Sequence, residues 1–254
     1  MSPALRRITV AAVAAVMLTP AAVWAQQPTR APLETAAGLR LHNVSATPAT
    51  LQGRNGVRVE LSEETSRRLK AMTPEEQQRA AQQGLGEQLA IIEASDFGDG
   101  AIEAEIAGAP RADAGEGARG FVGIAFRLQD DLKTYDAFYL RPTNGRADDQ
   151  LRRNHAAQYI SHPAWPWFRL RQETPGKYEA YVDLVPGEWT KVRIEVRGAQ
   201  AKLFVHDQAQ PTLIVSDVKS GANGRGKIAL WIDSGTVAHF RNVVVTPAAA
   251  TPAK

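Results

Sequence analysis

The 254-residue sequence contains no cysteine. A disulfide framework of the kind that stabilises many small exported domains is therefore excluded, and the fold must depend on an ordinary hydrophobic core. The chain is long enough to bury such a core as one domain with appendages.

Long apolar runs are also missing, apart from one near the N-terminus. Arg6 and Arg7 precede an apolar stretch from Ile8 to about Leu18, and a small-residue segment ends at Ala25. This stretch is shorter than the ~20 residues of a membrane-spanning helix and has the form of a secretory signal. We expect residues 1–25 to be cleaved and the protein to be periplasmic or secreted, the alternative being an uncleaved anchor. No cysteine follows the stretch, so a lipid anchor is not expected.

The sequence lacks a basic block. Its formal net charge of +3 falls to +1 without Arg6 and Arg7, and lysines and arginines do not cluster in runs. Nucleic-acid binding is therefore not expected.

Familiar catalytic and metal motifs are absent as well. The chain has no Gly-x-Ser-x-Gly, no His-Glu-x-x-His, no phosphate loop and no dinucleotide fingerprint. Its five histidines show no metal-ligand spacing, so we expect no metal site and no cofactor.

Short segments that alternate apolar and polar residues dominate the rest of the chain. About a dozen of them follow one another, separated by Gly, Pro, Asn and Asp, and this pattern predicts an all-β, two-sheet antiparallel sandwich. We expect this domain to span residues 39–246. A Pro-, Ala-, Thr- and Gln-rich linker over residues 26–38 would precede it, and a disordered tail over residues 247–254 would follow.

Residues 62–84 have a different pattern and predict a short helical insertion. Ser62 can begin one helix, and Thr73-Pro-Glu-Glu76 is a capping box with proline at the first helical position. Gly84 can end the second helix. This second helix has almost no apolar face, so we expect it to be solvated, the alternative being a binding helix.

Two stretches near the C-terminus resemble a known superfamily. "GEWTKVRIEVRGAQAKLFVHDQAQPTLIV" is similar to the Gly-x-Trp strand and hairpin of laminin-G-like modules, although His206-Asp207-Gln208 replaces the usual Asn-Gly tip. "GRGKIALWIDSGTVAHFRNVVV" is similar to the closing strand pair of the same modules. Over residues 88–246 the chain resembles the 3-keto-disaccharide hydrolase domain family, within the concanavalin A-like superfamily. The resemblance implies a secreted jelly roll that acts on or binds saccharides. Related jelly rolls often hold a structural calcium, but no acidic cluster identifies its ligands here.

Strand alternation predicts which sheet face is open. Four predicted strands have one apolar face, whereas the other face combines small residues, aromatics and arginines. They are Phe121–Arg127, Tyr135–Arg141, Trp167–Arg171 and Lys227–Asp233. Aromatic rings can stack on sugar rings, and arginine donates to hydroxyls or carboxylates. The predicted substrate-binding residues are Arg127, Tyr139, Arg141, Trp167, Arg169, Trp231 and Asp233. The alternative is that the aromatics lie beneath a loop and the arginines are solvated.

The stretch Asn154–Gln172, "NHAAQYISHPAWPWFRLRQ", is rich in aromatic and cationic residues and is broken by prolines. We expect it to form either a wall along the groove or a plug that seals one end of the sandwich. Asp148, Asp149 and His155 are the catalytic candidates, because a carboxylate beside cationic groups can serve as acid or base.

Three function classes remain open. The first is a saccharide-binding module, the second is a glycoside hydrolase-type enzyme acting on 3-keto or otherwise oxidised disaccharides, and the third is a structural or interaction domain of the cell envelope. The excess of arginine over what a neutral glycan needs favours an acidic or oxidised sugar. The sequence does not determine the oligomeric state.

Overall fold

A computed structural model describes residues 27–82 and 86–248. The predicted signal peptide, Gly84 and residues 249–254 of the predicted tail lie outside the described residues.

Strands make up most of these ranges, together with four short α-helices and one 3₁₀ turn at Pro142–Asn144. The strands are β1 (Thr29–Ala31), β2 (Leu39–His42), β3 (Val44–Leu51), β4 (Arg54–Leu61), β5 (Gln88–Phe97), β6 (Gly100–Pro110), β7 (Val122–Leu128), β8 (Tyr135–Leu140), β9 (Ala157–His162), β10 (Glu179–Ala180), β11 (Thr190–Arg197), β12 (Gln200–Val205), β13 (Leu213–Val215), β14 (Gly226–Ile232) and β15 (Thr236–Pro247). The helices are α1 (Glu63–Lys70), α2 (Pro74–Gln82), α3 (Gln150–Asn154) and α4 (Trp167–Glu173).

The strands form two antiparallel sheets, which confirms the predicted all-β jelly-roll sandwich. One sheet has the order β13-β12-β11-β6-β15-β4-β3, with β1 added to β15. The other, which we call the groove sheet, has the order β10-β9-β8-β7-β14-β5-β2. Ile124, Phe138 and Leu230 of the groove sheet belong to the buried core, as do Ile106 and Ile194 of the first sheet. Burial of these apolar side chains is the main force that holds the two layers together.

The predicted linker over residues 26–38 is wrong in part. Thr29–Ala31 pairs with Val243–Val245 as β1, and Leu33 is buried in the core. A linker-like composition did not prevent this pairing, because β15 offered an open edge. At the other end of the chain, Pro247 still pairs with Gly100 as the last residue of β15, although the predicted disordered tail began there.

The helical insertion has the predicted form over its described residues. Ser62 accepts a hydrogen bond from the Thr65 amide, and Thr73 and Glu76 exchange the two hydrogen bonds of a capping box at 2.8 and 3.3 Å. Within the described ranges, no helix has both the length and the apolar character needed to cross a bilayer.

The stretch from Asn154 to Gln172 is not a simple loop, and it does not form the strand that apolar-polar alternation predicts over Trp167–Arg171. Its first part is β9, which lies between β8 and β10. Its second part is α4, in which an Arg169–Glu173 ion pair links successive turns. The apolar-polar alternation suggested a strand, but in the helix Leu170 is buried while Phe168 is exposed.

Candidate functional site

One row of side chains crosses the outer face of the groove sheet, which is the face turned away from the core. The residues of this row are direct cross-strand partners: Glu179, Gln158, Tyr139, Gly123, Trp231, Leu89 and His42. Gly123 leaves a gap in the row, and the rings of Tyr139 and Trp231 stack across it at 4.8 Å. A Cβ at Gly123 would come within 2.5 Å of the Tyr139 Cβ, so the stack requires glycine. We call Tyr139 and Trp231 the aromatic platform.

Two cavities lie over this face and form a single groove. One has a volume of about 950 Å³ and the other about 490 Å³. Phe121, Trp167 and Asp233 line both cavities, so the two cavities adjoin there. Helix α4 places Trp167 at this junction with 43% of its surface exposed. The helical insertion contributes Gln77 to the larger cavity.

The smaller cavity contains a network built on Glu87. His162 Nδ1 lies 2.8 Å from Glu87 Oε1, and the Tyr135 hydroxyl donates to Glu87 Oε2. The indole Nε1 of Trp231 donates to the Tyr135 oxygen at 2.9 Å. Burial, with the nearby Glu87 charge, holds the pKa of Tyr135 well above its usual value. If Nδ1 of His162 donates to Glu87, its Nε2 is the ring nitrogen left to accept a proton.

Asp233 lies where the cavities join. It is half-buried, and its Oδ1 accepts the Gly235 amide at 3.0 Å. No cationic side chain in the described part of the chain forms an ion pair with it, and burial raises its pKa above the ordinary carboxyl value. A carboxyl group of this kind is a good candidate for a proton donor or acceptor.

A buried carboxylate orders one wall of the larger cavity. Glu179 lies 3.4 Å from Arg141 Nη1 and 2.9 Å from His155 Nδ1, and it also forms an ion pair with Arg171. Arg141 donates in addition to the Tyr139 hydroxyl at 2.8 Å. Burial raises the pKa of Tyr139 to about 12, although the Arg141 charge opposes the shift. Burial lowers the pKa of His155, an effect that the Glu179 charge opposes.

Three further arginines line the larger cavity: Arg111, Arg119 and Arg152. Arg111 forms a bidentate pair with Asp113 at 2.7 Å. Arg152 donates to the side chains of Asn144 and Thr143 instead of to a carboxylate. The larger cavity is therefore lined by more cationic than anionic side chains, and we call its arginine-bearing side the cationic wall.

Seven of the ten predicted site residues line the groove. They are Tyr139, Arg141, Asp149, His155, Trp167, Trp231 and Asp233. The stretch Asn154–Gln172 borders the groove through His155 and Trp167. The catalytic or binding role of each of the seven residues remains a prediction.

The placement of Arg127 in the groove is wrong. Its backbone takes a φ of 55° at an irregularity in the β7–β14 pairing, and this interrupts the alternation that predicted its direction. The buried guanidinium pairs with Asp99 at 3.0 Å and donates to the carbonyls of Gly98, Gly198 and Gly221. Arg127 therefore joins loops and lines neither cavity.

Three other predicted residues lie outside the cavities or make local structural contacts. Arg169 lies over the Trp165 ring at 3.9 Å and pairs with Glu173, outside both cavities. Asp148 is exposed and also lies outside them. Asp149 reaches the larger cavity, but its carboxylate caps α3 by accepting the Arg152 amide at 2.7 Å.

Sequence reasoning missed the groove residues Glu87, His162, Arg119 and Arg152 as site residues. His162 could have been suspected from its place beside the proline-broken aromatics. Glu87 carries no local signal, because it precedes β5 and meets His162 only through the fold. Among the described residues, no group of three or more His, Cys, Asp or Glu side chains could hold a metal ion.

Two solved structures of Bacillus subtilis proteins share this fold. The carbohydrate-binding module CBM66 is 12% identical to this chain, with a TM-score of 0.51. The alignment covers 81% of this chain and 93% of the CBM66 chain. A protein of unknown function with a galectin-like fold is 11% identical to this chain, with a TM-score of 0.52. Here the alignment covers 88% of this chain and 96% of the other. At this level of identity the similarity concerns the fold alone. No curated protein matches the chain in sequence.

A family comparison covers most of the sandwich. Residues 59–246 match the family described as the 3-keto-alpha-glucoside-1,2-lyase-like domain. This match includes the groove sheet from β5 onward and every residue that lines the two cavities. The chain therefore belongs to the family of 3-keto-alpha-glucoside-1,2-lyase-like domains, a family of jelly-roll domains, as the resemblance in sequence predicted.

Proposed function

We propose that the groove binds a saccharide and that Trp167 is its main stacking residue. The observation that carries this proposal is the exposed indole of Trp167 at the junction of the two cavities. The guanidinium carbons of Arg141 and Arg171 lie 5.8 and 4.8 Å from the centroid of this ring. An exposed ring beside hydrogen-bond donors suits the apolar and hydroxyl-bearing faces of a sugar. The aromatic platform provides a rigid floor beside it.

The relatives support this proposal. One structure of similar fold is a carbohydrate-binding module, and the family is described by an activity on glucosides. The cationic wall of the larger cavity favours a sugar that is oxidised or acidic over a neutral one.

A glycan array followed by calorimetric titration tests the proposal. Trp167→Ala should weaken the affinity for the best glycan at least about tenfold, as for a stacking residue at a binding hot spot. Tyr181→Ala is the matched control, because Tyr181 is similarly exposed at 44% but lies outside the groove. Failure of the wild-type protein to bind any glycan would refute the proposal.

A second candidate is an elimination reaction on a 3-keto glucoside. The observation that favours it is the presence of Asp233 and the Glu87–His162 pair in one cavity. A ketone at C3 acidifies the proton at C2. His162 would remove that proton and Asp233 would protonate the glycosidic oxygen, so that the C1–O bond breaks and a C1–C2 double bond forms.

The raised pKa of Asp233 suits the acid in this scheme, because such a carboxyl retains its proton at higher pH. The test is to incubate the protein with a 3-keto disaccharide and with its unoxidised counterpart. Release of a monosaccharide together with an unsaturated 3-keto product, from the keto form alone, supports the elimination, since hydrolysis would give two saturated sugars. Asp233→Asn and His162→Gln should each slow that release about 100-fold or more, a typical contribution of general acid-base catalysis. Binding of the keto sugar without turnover would refute the second candidate and leave the first intact.

We also propose that the protein acts outside the cytoplasm, after removal of residues 1–25. The support is the order of charged, apolar and small residues at the N-terminus.

A further inference from the structure

Arg119 and Arg152 differ from the other arginines of the larger cavity. Arg111, Arg141 and Arg171 each pair with a carboxylate, either Asp113 or Glu179. Among the described residues, no carboxylate lies within 4.0 Å of the guanidinium groups of Arg119 or Arg152. Both side chains are half-buried. We call these two residues the arginine pair.

The protein holds each member of the arginine pair in place with neutral acceptors. Arg119 Nη1 donates to the carbonyls of Glu116 and Ala118, at 3.0 Å for the latter. Arg152 Nε donates to Asn144 Oδ1 at 3.0 Å, and its Nη2 donates to Thr143 Oγ1 at 3.2 Å. These contacts orient the guanidinium planes without neutralising their charge.

Several donors are left over. Nε and Nη2 of Arg119 and Nη1 of Arg152 donate to no group in the described part of the chain, although both residues line the cavity. Guanidinium donors are arranged in a fixed fork that matches the two oxygens of a carboxylate. The cavity therefore presents oriented, uncommitted donors.

The positive charges also repel one another. Burial lowers the pKa of Arg119, and the nearby charges of Arg152 and Arg141 lower it further. Placing like charges together in a half-buried site costs free energy. A bound anion would offset that cost, whereas a neutral ligand would not.

We propose that the arginine pair binds the carboxylate of an acidic sugar residue, so that the ligand class is a saccharide containing a uronic or aldonic acid. This inference rests on the proposed saccharide-binding function. Trp167 lines the same cavity, so the ring that bears the carboxylate, or its neighbour, can stack there. A guanidinium fork can also bind two oxygens of a tetrahedral oxyanion, so a sulfated disaccharide is included among the probes.

The test compares acidic saccharides with their methyl esters, which keep the ring and linkage but lose the charge. The probes are di- and trigalacturonate, glucuronic acid and aldobiouronic acid, each with its ester, together with a sulfated disaccharide. Calorimetry with the mature protein should give at least one acid a Kd about tenfold or more below that of its ester, since a hydrogen bond to a charged group contributes this much. The difference should shrink as salt is added.

Variants test whether Arg119 and Arg152 cause the preference for the acid over its ester. Arg119→Gln and Arg152→Gln should each weaken binding of the acid about tenfold and leave binding of the ester within about twofold. Arg225→Gln is the control for net charge, because Arg225 pairs with Asp96 and lies outside the groove. Arg119→Lys and Arg152→Lys keep the charge but lose the fork, and should recover only part of the preference. They also provide a measurement if a glutamine variant fails to fold.

The outcomes distinguish a failure of the acidic-sugar inference from a failure of the proposed saccharide-binding function. Equal affinity for acid and ester, with both bound, would overturn the acidic-sugar inference and leave saccharide binding standing. Acid binding that survives both glutamine variants would also overturn it. Tighter binding of the sulfated disaccharide through the same arginines would overturn the choice of a carboxylate. If neither these probes nor any neutral glycan of the array binds, the proposed function itself fails.

Discussion

Tyr139 and Trp231 stack with their ring centroids 4.8 Å apart although their strands are not neighbours. Strand β7 lies between them, and it contributes Gly123 at this level. The stack therefore depends on the absence of a side chain in the intervening strand.

Gly123→Ala should disrupt the aromatic platform. Its new methyl group would collide with the backbone of Phe138 and with the Tyr139 Cβ, and overpacking of this kind costs about 1–3 kcal/mol or more. Urea unfolding should show a loss of that size. Gly117→Ala is the control, because a Cβ there meets no atom within 4 Å. An unfolding midpoint unchanged from wild type would contradict the account of the platform.

Trp231→Ala should strongly destabilise the protein. From strand alternation alone, Trp231 and Arg141 would be expected to matter for binding with little effect on the melting temperature. The structure reverses that expectation, because Trp231 is only 9% exposed and its indole nitrogen is hydrogen-bonded to Tyr135. Truncation of a large buried side chain costs about 3–5 kcal/mol. Phe168→Ala, at a residue that is 50% exposed, should cost under about 1 kcal/mol, and denaturant unfolding of both variants measures the difference.

Arg127→Met should destabilise the fold without changing the affinity for a saccharide. The change removes a fully buried guanidinium and leaves the carbonyls of three loop glycines without this donor, whereas Asp99 still accepts the Gly198 amide. Asp99 is 37% exposed, so the loss should come mainly from the carbonyls, at about 1–3 kcal/mol for each buried acceptor left without a partner. The surface variant Arg225→Met should cost under about 1 kcal/mol. Weaker glycan binding by the folded Arg127→Met protein would contradict this prediction and indicate that Arg127 contributes to the binding site.

Asp233 should make the stability depend on pH. Its folded-state pKa is raised by burial, so the native state binds the proton more tightly than the unfolded chain does. The resulting stability is complete below the ordinary carboxyl pKa of about 3.9, and it is lost as the pH rises through the raised value. Asp233→Asn should therefore melt at a higher temperature than wild type near neutral pH, with a smaller difference at low pH.

Melting curves at acidic and neutral pH measure this effect. Asp148→Asn serves as the control, since the Asp148 side chain is exposed. The account of Asp233 fails if its asparagine variant keeps the pH dependence of the wild-type protein.

The exported protein should begin at or near Gln26, because the apolar stretch that precedes it has the form of a cleaved signal. Intact-mass spectrometry of the periplasmic fraction measures the start. Recovery of a full-length chain from the membrane fraction would contradict the prediction.

Much of the fold was determined by local sequence patterns. Period-two alternation placed β7, β8 and β14 and assigned their core faces, because side chains in a strand point alternately to its two sides. The capping box predicted the start of α2, since its hydrogen bonds join residues three positions apart. Patterns that span only a few neighbouring residues can be recognised without knowing which segments pack against them.

The tertiary structure decided which side chains the outer face exposes and which groups meet there. Glu87 and His162 are 75 positions apart, and they come together only when β9 and the segment before β5 reach the same cavity. The irregularity in β7 turned Arg127 toward the loops, although alternation placed it in the groove. Local patterns were enough to predict the sandwich and to place Tyr139 and Trp231 together on one sheet face. Packing between distant segments decided which of those residues became structural and which line a groove, because burial and ion pairing depend on neighbours that no local pattern identifies.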